Sequence, residues 1–274
     1  MKQPTIYLPH GGGPCFFMDW TMGPPDTWDR MAQWLREIPA SLPEVPAGLL
    51  VVSAHWEEPV ATVTSASSTP LLYDYYGFPP QTYELKWPAP GSPELAARVR
   101  SLLGKAGIES AADAARGFDH GVFIPLKVAF PDADVPIVQV SLLASMDAAE
   151  HIRIGQALAP LRDEGVLIIG SGMTYHNMRT LMASMRGGAD GRAADAGSQR
   201  FDDWLEEVLT QAPPESRASA LAAWDKAPSA RGAHPREEHL LPLHVVVGAA
   251  GDDPGQRTFK DVVMGAVESA FRFG

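Results

Sequence analysis

Most of the chemistry available to this sequence rests on histidine. Eight histidines occur, at positions 10, 55, 120, 151, 176, 234, 239 and 244. Neutral imidazole binds divalent transition metals, and an imidazole that titrates near neutral pH can transfer protons during catalysis. A group of these residues could therefore form a catalytic metal site, which keeps coordination positions open for water or substrate, or a general acid–base pair.

His10, His55 and His176 each follow a short apolar segment of strand length. Those segments are Thr5–Leu8, Leu49–Ser53 and Val166–Ile169. If the three strands are parallel, their carboxyl ends lie at one edge of the sheet, which is where open α/β sheets bind ligands. A single strand-end histidine is more typical of a hydrogen-bonded structural residue, but three at one edge predict a divalent metal site.

The other histidines leave alternatives open. His120 precedes a predicted helix at 121–129, so it is either a helix-start residue capped by Asp119 or a catalytic residue. His234, His239 and His244 are spaced by five residues, which separates neighbours by about 140° around a helix. One helix face cannot present all three to one ion, so we expect at most one ligand among them. His151 is predicted to be a solvated side chain on an amphipathic helix.

Strand and helix patterns alternate along the chain. Further strands are predicted at Ala61–Thr64 and Ile137–Val140, and the clearest helix opens at Ser92-Pro93-Glu94. Other helices are predicted at 26–37, 121–129, 147–161, 198–210, 216–224 and 236–250. This order predicts an α/β fold with a central mixed or mostly parallel sheet, flanked by helices and carrying the metal site at one edge. We expect a single catalytic domain over 1–274, with long loops at 73–90 and 185–198.

Composition limits the classes of partner. The 274 residues are 45% hydrophobic and carry a net charge of −11, which disfavours nucleic acid and anionic membrane surfaces as partners. The one cysteine, Cys15, cannot form an internal disulfide, and no apolar run reaches the length of a signal peptide or a membrane span. We therefore expect a cytoplasmic protein that acts on a small molecule. The composition is compatible with either a monomer or a homo-oligomer.

Several common site motifs do not occur in the chain. It contains no His-Glu-x-x-His helix, no phosphate-binding loop ending in Gly-Lys-Ser/Thr, and no Cys-x-x-Cys pair. The turn Gly170-Ser171-Gly172 lacks the spacing of a Gly-x-Ser-x-Gly nucleophile elbow, which disfavours a serine hydrolase.

Five segments together resemble a known family. They are Leu8–Pro14, Val52–Trp56, Gly117–Gly121, Gly172–Asn177 and Glu238–Leu243. In order and composition they are similar to the class III extradiol ring-cleaving dioxygenases, specifically the 4,5-DOPA dioxygenase type, and the resemblance spans most of the chain.

That resemblance implies a non-haem metal held by His10, His55 and His239, with His120 and His176 as an acid–base pair beside it. In the protocatechuate branch of the family a glutamate is the third ligand, so Glu237 and Glu238 are alternatives to His239. Fe(II) is the expected cofactor for activity, because zinc could occupy the site without providing redox chemistry. The expected reaction is cleavage of a small aromatic diol with O₂ to a semialdehyde.

On this hypothesis His176 takes a proton from a catechol hydroxyl, while His120 hydrogen-bonds the oxygen being reduced and later donates a proton. Two other classes remain as alternatives. The same three histidines could hold a hydrolytic zinc ion, or the scaffold could serve a non-catalytic binding protein.

Overall fold

Eight strands form one mixed sheet in the computed structural model of the chain, which describes residues 1–186 and 193–274. In chain order the strands are Thr5–Pro9 (β1), Gly48–Glu58 (β2), Ala61–Thr64 (β3), Ser110–Asp113 (β4), Ile137–Leu143 (β5), Val166–Gly172 (β6), Gly255–Val263 (β7) and Ala266–Phe273 (β8). Their order across the sheet is β4-β3-β5-β2-β6-β1-β8-β7.

The four central strands, β5, β2, β6 and β1, run parallel to one another. β3 pairs with β5 and β8 pairs with β1 in the antiparallel sense, so both flanks of the parallel centre are mixed. Every residue of β1 and β6 is buried, as expected for strands covered on both faces. The carboxyl ends of β1, β2 and β6 consequently lie at one edge, as predicted.

Helices cover both faces of the sheet. They are Asp29–Ser41 (α1), Pro93–Lys105 (α2), His120–Ala129 (α3), Ala148–Leu158 (α4), Met178–Arg186 (α5), Ala196–Glu206 (α6), Pro214–Ala222 (α7), Ala230–Ala233 (α8) and Leu241–Ala250 (α9). Side chains alternate along each strand, so Leu49 and Val51 join the core beneath α1 and α3, whereas Leu50 and Val52 join the core with α2, α4 and α9.

The structure corrects several predicted boundaries. The helix predicted at 236–250 begins only at Leu241, so His239 lies in the turn before α9. The segment 73–90 contains one 3₁₀ turn, Pro80–Glu84, and otherwise no helix or named strand. Of the loop predicted at 185–198, residues 187–192 lie outside the described residues, while α5 ends at Arg186 and α6 begins at Ala196. Among the described residues, no helix is long and apolar enough to cross a membrane.

Candidate metal centre

The five histidines singled out in the sequence meet at the carboxyl edge of the parallel strands. His10 follows β1, His55 lies in β2, His120 opens α3, His176 follows β6, and His239 precedes α9. The ring centroid of His10 lies 4.9, 5.4 and 5.2 Å from those of His55, His120 and His239. The His176 ring stacks on the His239 ring with 3.3 Å between centroids. The chain therefore brings all five together.

The tautomer of His10 follows from its hydrogen bonds. Its Nδ1 atom lies 3.2 Å from Ser171 Oγ, and the Ser171 hydroxyl itself donates to the carbonyl oxygen of Gly121. With its proton used there, Ser171 Oγ accepts a hydrogen bond from His10 Nδ1–H. His10 Nε2 is left with a lone pair, and burial lowers the pKa of His10 well below its ordinary value, so the ring stays neutral.

His55 points its Nε2 atom at His10 Nε2, 3.1 Å away. Burial, followed by the neighbouring His120, lowers the pKa of His55 to about 3. Two imidazole nitrogens that are each about 2.0–2.1 Å from one ion lie about 2.9–3.4 Å apart at bond angles near 90–109°. The spacing of the two Nε2 atoms therefore fits a shared divalent cation.

His239 provides the third candidate ligand nitrogen. Its Nδ1 atom lies 3.1 Å from Glu238 Oε1, whereas its Nε2 atom is buried and has no partner among the described residues. A buried polar atom of this kind is rare in a native protein unless water or an ion satisfies it. A ring N–H held by a carboxylate opposite a free Nε2 is the usual arrangement of a metal-binding histidine.

By ligand-atom spacing, two groups of three side chains within residues 1–186 and 193–274 could hold a cation. They are His10, His55 and His120 on one side, and His176, Glu238 and His239 on the other, with the ligand atoms of each group within 4.8 Å of one another. The two groups adjoin, because His239 contacts both His10 and His55. The whole cluster is thus rich enough in neutral donors to fit a non-haem metal.

His120 is oriented by Asp74, a residue of the irregular segment that no sequence motif had pointed to. Asp119 does precede α3, as predicted, but its side chain does not cap the helix. It is fully buried and accepts hydrogen bonds from Ser53, Gln139 and Arg116 instead. Asp74 Oδ1 takes over the cap by accepting from the His120 backbone N–H, and it also contacts His120 Nδ1.

Glu238 faces both His176 and His239. Its Oε1 atom lies 3.3 Å from His176 Nδ1 and 3.1 Å from His239 Nδ1. Burial raises the pKa of Glu238, but hydrogen bonding to His176 and the nearby positive charge of Arg236 outweigh burial and lower it overall. Glu237 points elsewhere and pairs with Arg231 at 2.5 Å. An acidic residue next to a candidate histidine was the one sequence signal for Glu238.

The remaining histidines are structural. His151 was predicted to be solvated, and this was wrong: it is fully buried, with Nε2 accepting from the Leu143 backbone N–H and Nδ1 near the Asp147 carbonyl oxygen. Its ring turns inward because it satisfies a backbone group at the end of β5. His234 and His244 are also buried and contact backbone carbonyl oxygens, which leaves His239 as the one member of its trio in the cluster.

Comparison with known proteins identifies a family. The family described as the catalytic LigB subunit of aromatic ring-opening dioxygenase matches residues 4–271. A "Dioxygenase tasH" from Hapsidospora irregularis is 37% identical over 96% of this chain and 82% of its own length. Proteins named "4,5-DOPA dioxygenase extradiol" are 44% identical in Beta vulgaris, over 76% of this chain and 75% of the relative, and 33% identical in Escherichia coli, over 97% and 92%.

A solved structure of an uncharacterised protein from Escherichia coli K12 has the same fold. It superimposes with a TM-score of 0.77 at 31% identity, covering 99% of this chain and 100% of that one. Fold, histidine cluster and relatives agree, and the chain belongs to the LigB family of catalytic subunits of aromatic ring-opening dioxygenases, with extradiol ring cleavage as its activity.

Proposed function

We propose that this enzyme binds Fe(II) through the Nε2 atoms of His10, His55 and His239 and cleaves a catechol with O₂ to a semialdehyde. One observation carries the ligand assignment: the buried Nε2 of His239 has no partner in the described part of the chain, while its Nδ1 faces a carboxylate. A carboxylate faces Nδ1 of His120 and of His176 as well, so the carboxylate contacts do not separate ligands from acid–base groups. The assignment of His120 and His176 to proton transfer rests on the resemblance to the extradiol dioxygenases.

The names of the relatives support a substrate class. Several are named "4,5-DOPA dioxygenase extradiol", so we propose a DOPA-like catechol as the substrate of this chain. When bound, Fe(II) supplies a redox-active centre at which a singlet catechol and triplet O₂ can exchange electrons. Three neutral imidazole ligands leave the full positive charge of the cation in place, which favours a deprotonated catechol.

His176 is the proposed general base. Its ring stacks on His239, which places it beside the proposed metal ligands, and its Nδ1 faces Glu238. A carboxylate on this side stabilises the imidazolium that forms when the opposite nitrogen takes a hydroxyl proton. Glu238 therefore orients a metal ligand and the base at the same time.

His120 is the proposed proton donor to the oxygen side of the reaction. Asp74 accepts from its Nδ1–H at 2.8 Å, so His120 can donate a proton from Nε2 only as the imidazolium, whose charge the Asp74 carboxylate stabilises. The ring centroid of His120 lies 3.9 Å from that of His55, which keeps the donor adjacent to the metal ligands.

Anaerobic reconstitution with Fe(II) tests this function. The loaded enzyme is then supplied with O₂ and a panel of catechols, while an oxygen electrode and the absorbance of the yellow semialdehyde are followed. We expect oxygen uptake and product in equal amounts with Fe(II), and none with Zn(II). Substitution of His176 by Ala should lower turnover about 10²–10⁴-fold. Hydrolysis of an ester or amide by the zinc form, without oxygen uptake, would support the hydrolase alternative instead.

A further inference from the structure

The segment that carries His176 is held by buried side chains from two other parts of the chain. Glu268, in β8, accepts through Oε2 from the Thr174 backbone N–H at 2.8 Å, from the Thr174 hydroxyl at 3.0 Å and from the Tyr175 backbone N–H at 3.4 Å. His234 contacts the Thr174 carbonyl oxygen at 2.9 Å through Nε2. Every polar group of Thr174 is therefore fixed by a side chain distant in sequence.

Further hydrogen bonds fix His176 and the residue after it. The His176 backbone N–H donates to the Ala233 carbonyl oxygen at 3.0 Å, and the Asn177 side chain donates to the Gly232 carbonyl oxygen at 2.8 Å. The Thr174 hydroxyl also accepts from the Ser269 backbone N–H, which joins the segment to β8 a second time. The path from β6 to α5 thus has little freedom to move the His176 ring.

Burial of the Glu268 carboxyl at this position costs free energy. It is 1% exposed, its Oε1 atom has no hydrogen-bond partner among the described residues, and its described hydrogen bonds include none from a cation. Burial raises the pKa of its carboxyl to about 8, so the group is neutral at neutral pH. An apolar residue would avoid this cost, but it could not accept the three hydrogen bonds that fix Thr174 and Tyr175.

We propose that Glu268 is a positioning residue for ring cleavage, which holds Thr174 and Tyr175 so that the His176 imidazole stays stacked on His239 and beside Glu238. This inference rests on the proposed role of His176 as the base. Glu268 does not touch the histidine cluster in any described contact, and it acts through two residues of backbone. A displacement of about 1 Å in a catalytic group can cost about 10²-fold in rate.

Three variants test the proposal in the iron-loaded enzyme. Glu268→Ala removes the acceptor, and we expect kcat to fall about 10–100-fold, with KM within about threefold of the parent and bound iron per chain unchanged. Glu268→Gln keeps an acceptor oxygen and resembles the neutral acid, so it should restore kcat to within about threefold. The control is Asp202→Asn, another buried carboxyl near β8, which accepts from Ser269 Oγ and has no described contact with the His176 segment. Its kcat should stay within about twofold.

A double-mutant comparison separates positioning from general destabilisation. If Glu268 acts through His176, adding Glu268→Ala to His176→Ala should change the residual kcat less than about twofold. Equal losses of kcat in both backgrounds would overturn the proposal. A folded, iron-loaded Glu268→Ala enzyme with parental kcat would also overturn it, as would a Glu268→Gln enzyme as impaired as Glu268→Ala.

A second variant covers the case in which Glu268→Ala does not fold. Thr174→Val then decides: a loss of kcat of about tenfold supports the proposal, and parental kcat contradicts it. Near-parental turnover by His176→Ala alone would instead refute the proposed base.

Discussion

Asp74 binds His120 at two points with a single carboxylate oxygen. Oδ1 accepts from the His120 backbone N–H at 2.9 Å and contacts ring Nδ1 at 2.8 Å, while Oδ2 lies 3.8 Å from His55 Nδ1. Burial raises the pKa of Asp74, but its hydrogen bonds to His120 outweigh burial and lower it. Asp74 therefore links the irregular segment 73–90 to the proposed proton donor and to a proposed metal ligand.

Substitution of Asp74 by Asn should keep the backbone cap but remove the charge that holds His120. We expect kcat to fall about 10-fold or more, while Tm changes little. Asp74→Ala should lose the cap as well and cost about 1 kcal/mol of stability in addition. Asp147 caps α4 through the Glu150 backbone N–H, away from the cluster, so Asp147→Ala should lower Tm without changing kcat. Oxygen uptake and thermal unfolding measure the two effects, and unchanged kcat in Asp74→Asn would contradict the role of Asp74.

Gly121 leaves room for His55. A Cβ atom at this position would overlap Ser53 Oγ and lie 3.0 Å from His55 Cδ2. Gly121→Ala should therefore displace His55 and weaken metal binding at least about tenfold, as measured by metal titration. At Gly104, within α2, an added Cβ would meet no described atom within 4 Å, so Gly104→Ala should stabilise the protein by up to about 1 kcal/mol and leave metal affinity unchanged. Equal affinities in the two variants would argue against this packing.

Loss of the third proposed ligand should release the metal. His239→Ala removes a buried nitrogen that has no partner in the described part of the protein, so we expect iron content after dialysis to fall below about one-tenth of the parental value. His244→Ala is the matched control, because His244 is equally buried but bonds to the Leu240 and Leu221 carbonyl oxygens. It should destabilise the fold and retain iron. Full iron content in His239→Ala, with loss in Glu238→Ala, would favour the carboxylate as third ligand.

The raised pKa of Glu268 gives stability a defined pH dependence. The carboxyl titrates near 4.5 ordinarily and near 8 in the folded protein. Between these values the folded chain keeps a proton that the unfolded chain has released, so the free energy of unfolding falls as pH rises from about 4.5 to about 8. The slope from this group is at most about 1.4 kcal/mol per pH unit.

Glu268→Gln removes that proton exchange. Denaturant unfolding of the parent and of the variant at pH 5, 6, 7 and 8 should show the parent losing stability relative to Glu268→Gln at each step upward. Parallel pH curves for the two proteins would show that Glu268 is ionised in the fold.

The central strands were predictable because they are buried on both faces. Ala61–Thr64 was predicted with its observed bounds, and the other four predicted strands begin at or within one residue of the observed start. Two-sided burial leaves a continuous apolar run of strand length, which is typical of central parallel strands. The order of β1, β2 and β6 then places His10, His55 and His176 at one edge.

The strands β4, β7 and β8 were not predicted, for a physical reason. β4 and β7 lie at the two edges of the sheet, where polar and small residues interrupt the apolar pattern. β8 is almost wholly buried, yet it contains Glu268 and Ser269, whose partners lie 94 and 67 residues away in the chain. The role of Asp74 was not predicted for the same reason. Its contact with His120 spans 46 residues and depends on the path of an irregular segment.

The position of β1 between β6 and β8 has a consequence for biosynthesis. The two neighbours of β1 in the sheet begin only at Val166 and Ala266, so the strands that fix His10 are synthesised long after it. Such distant pairings make folding slow, because long loops must close before the contacts form. On the proposed ligand set, a complete cation site forms only after these distant pairings have closed.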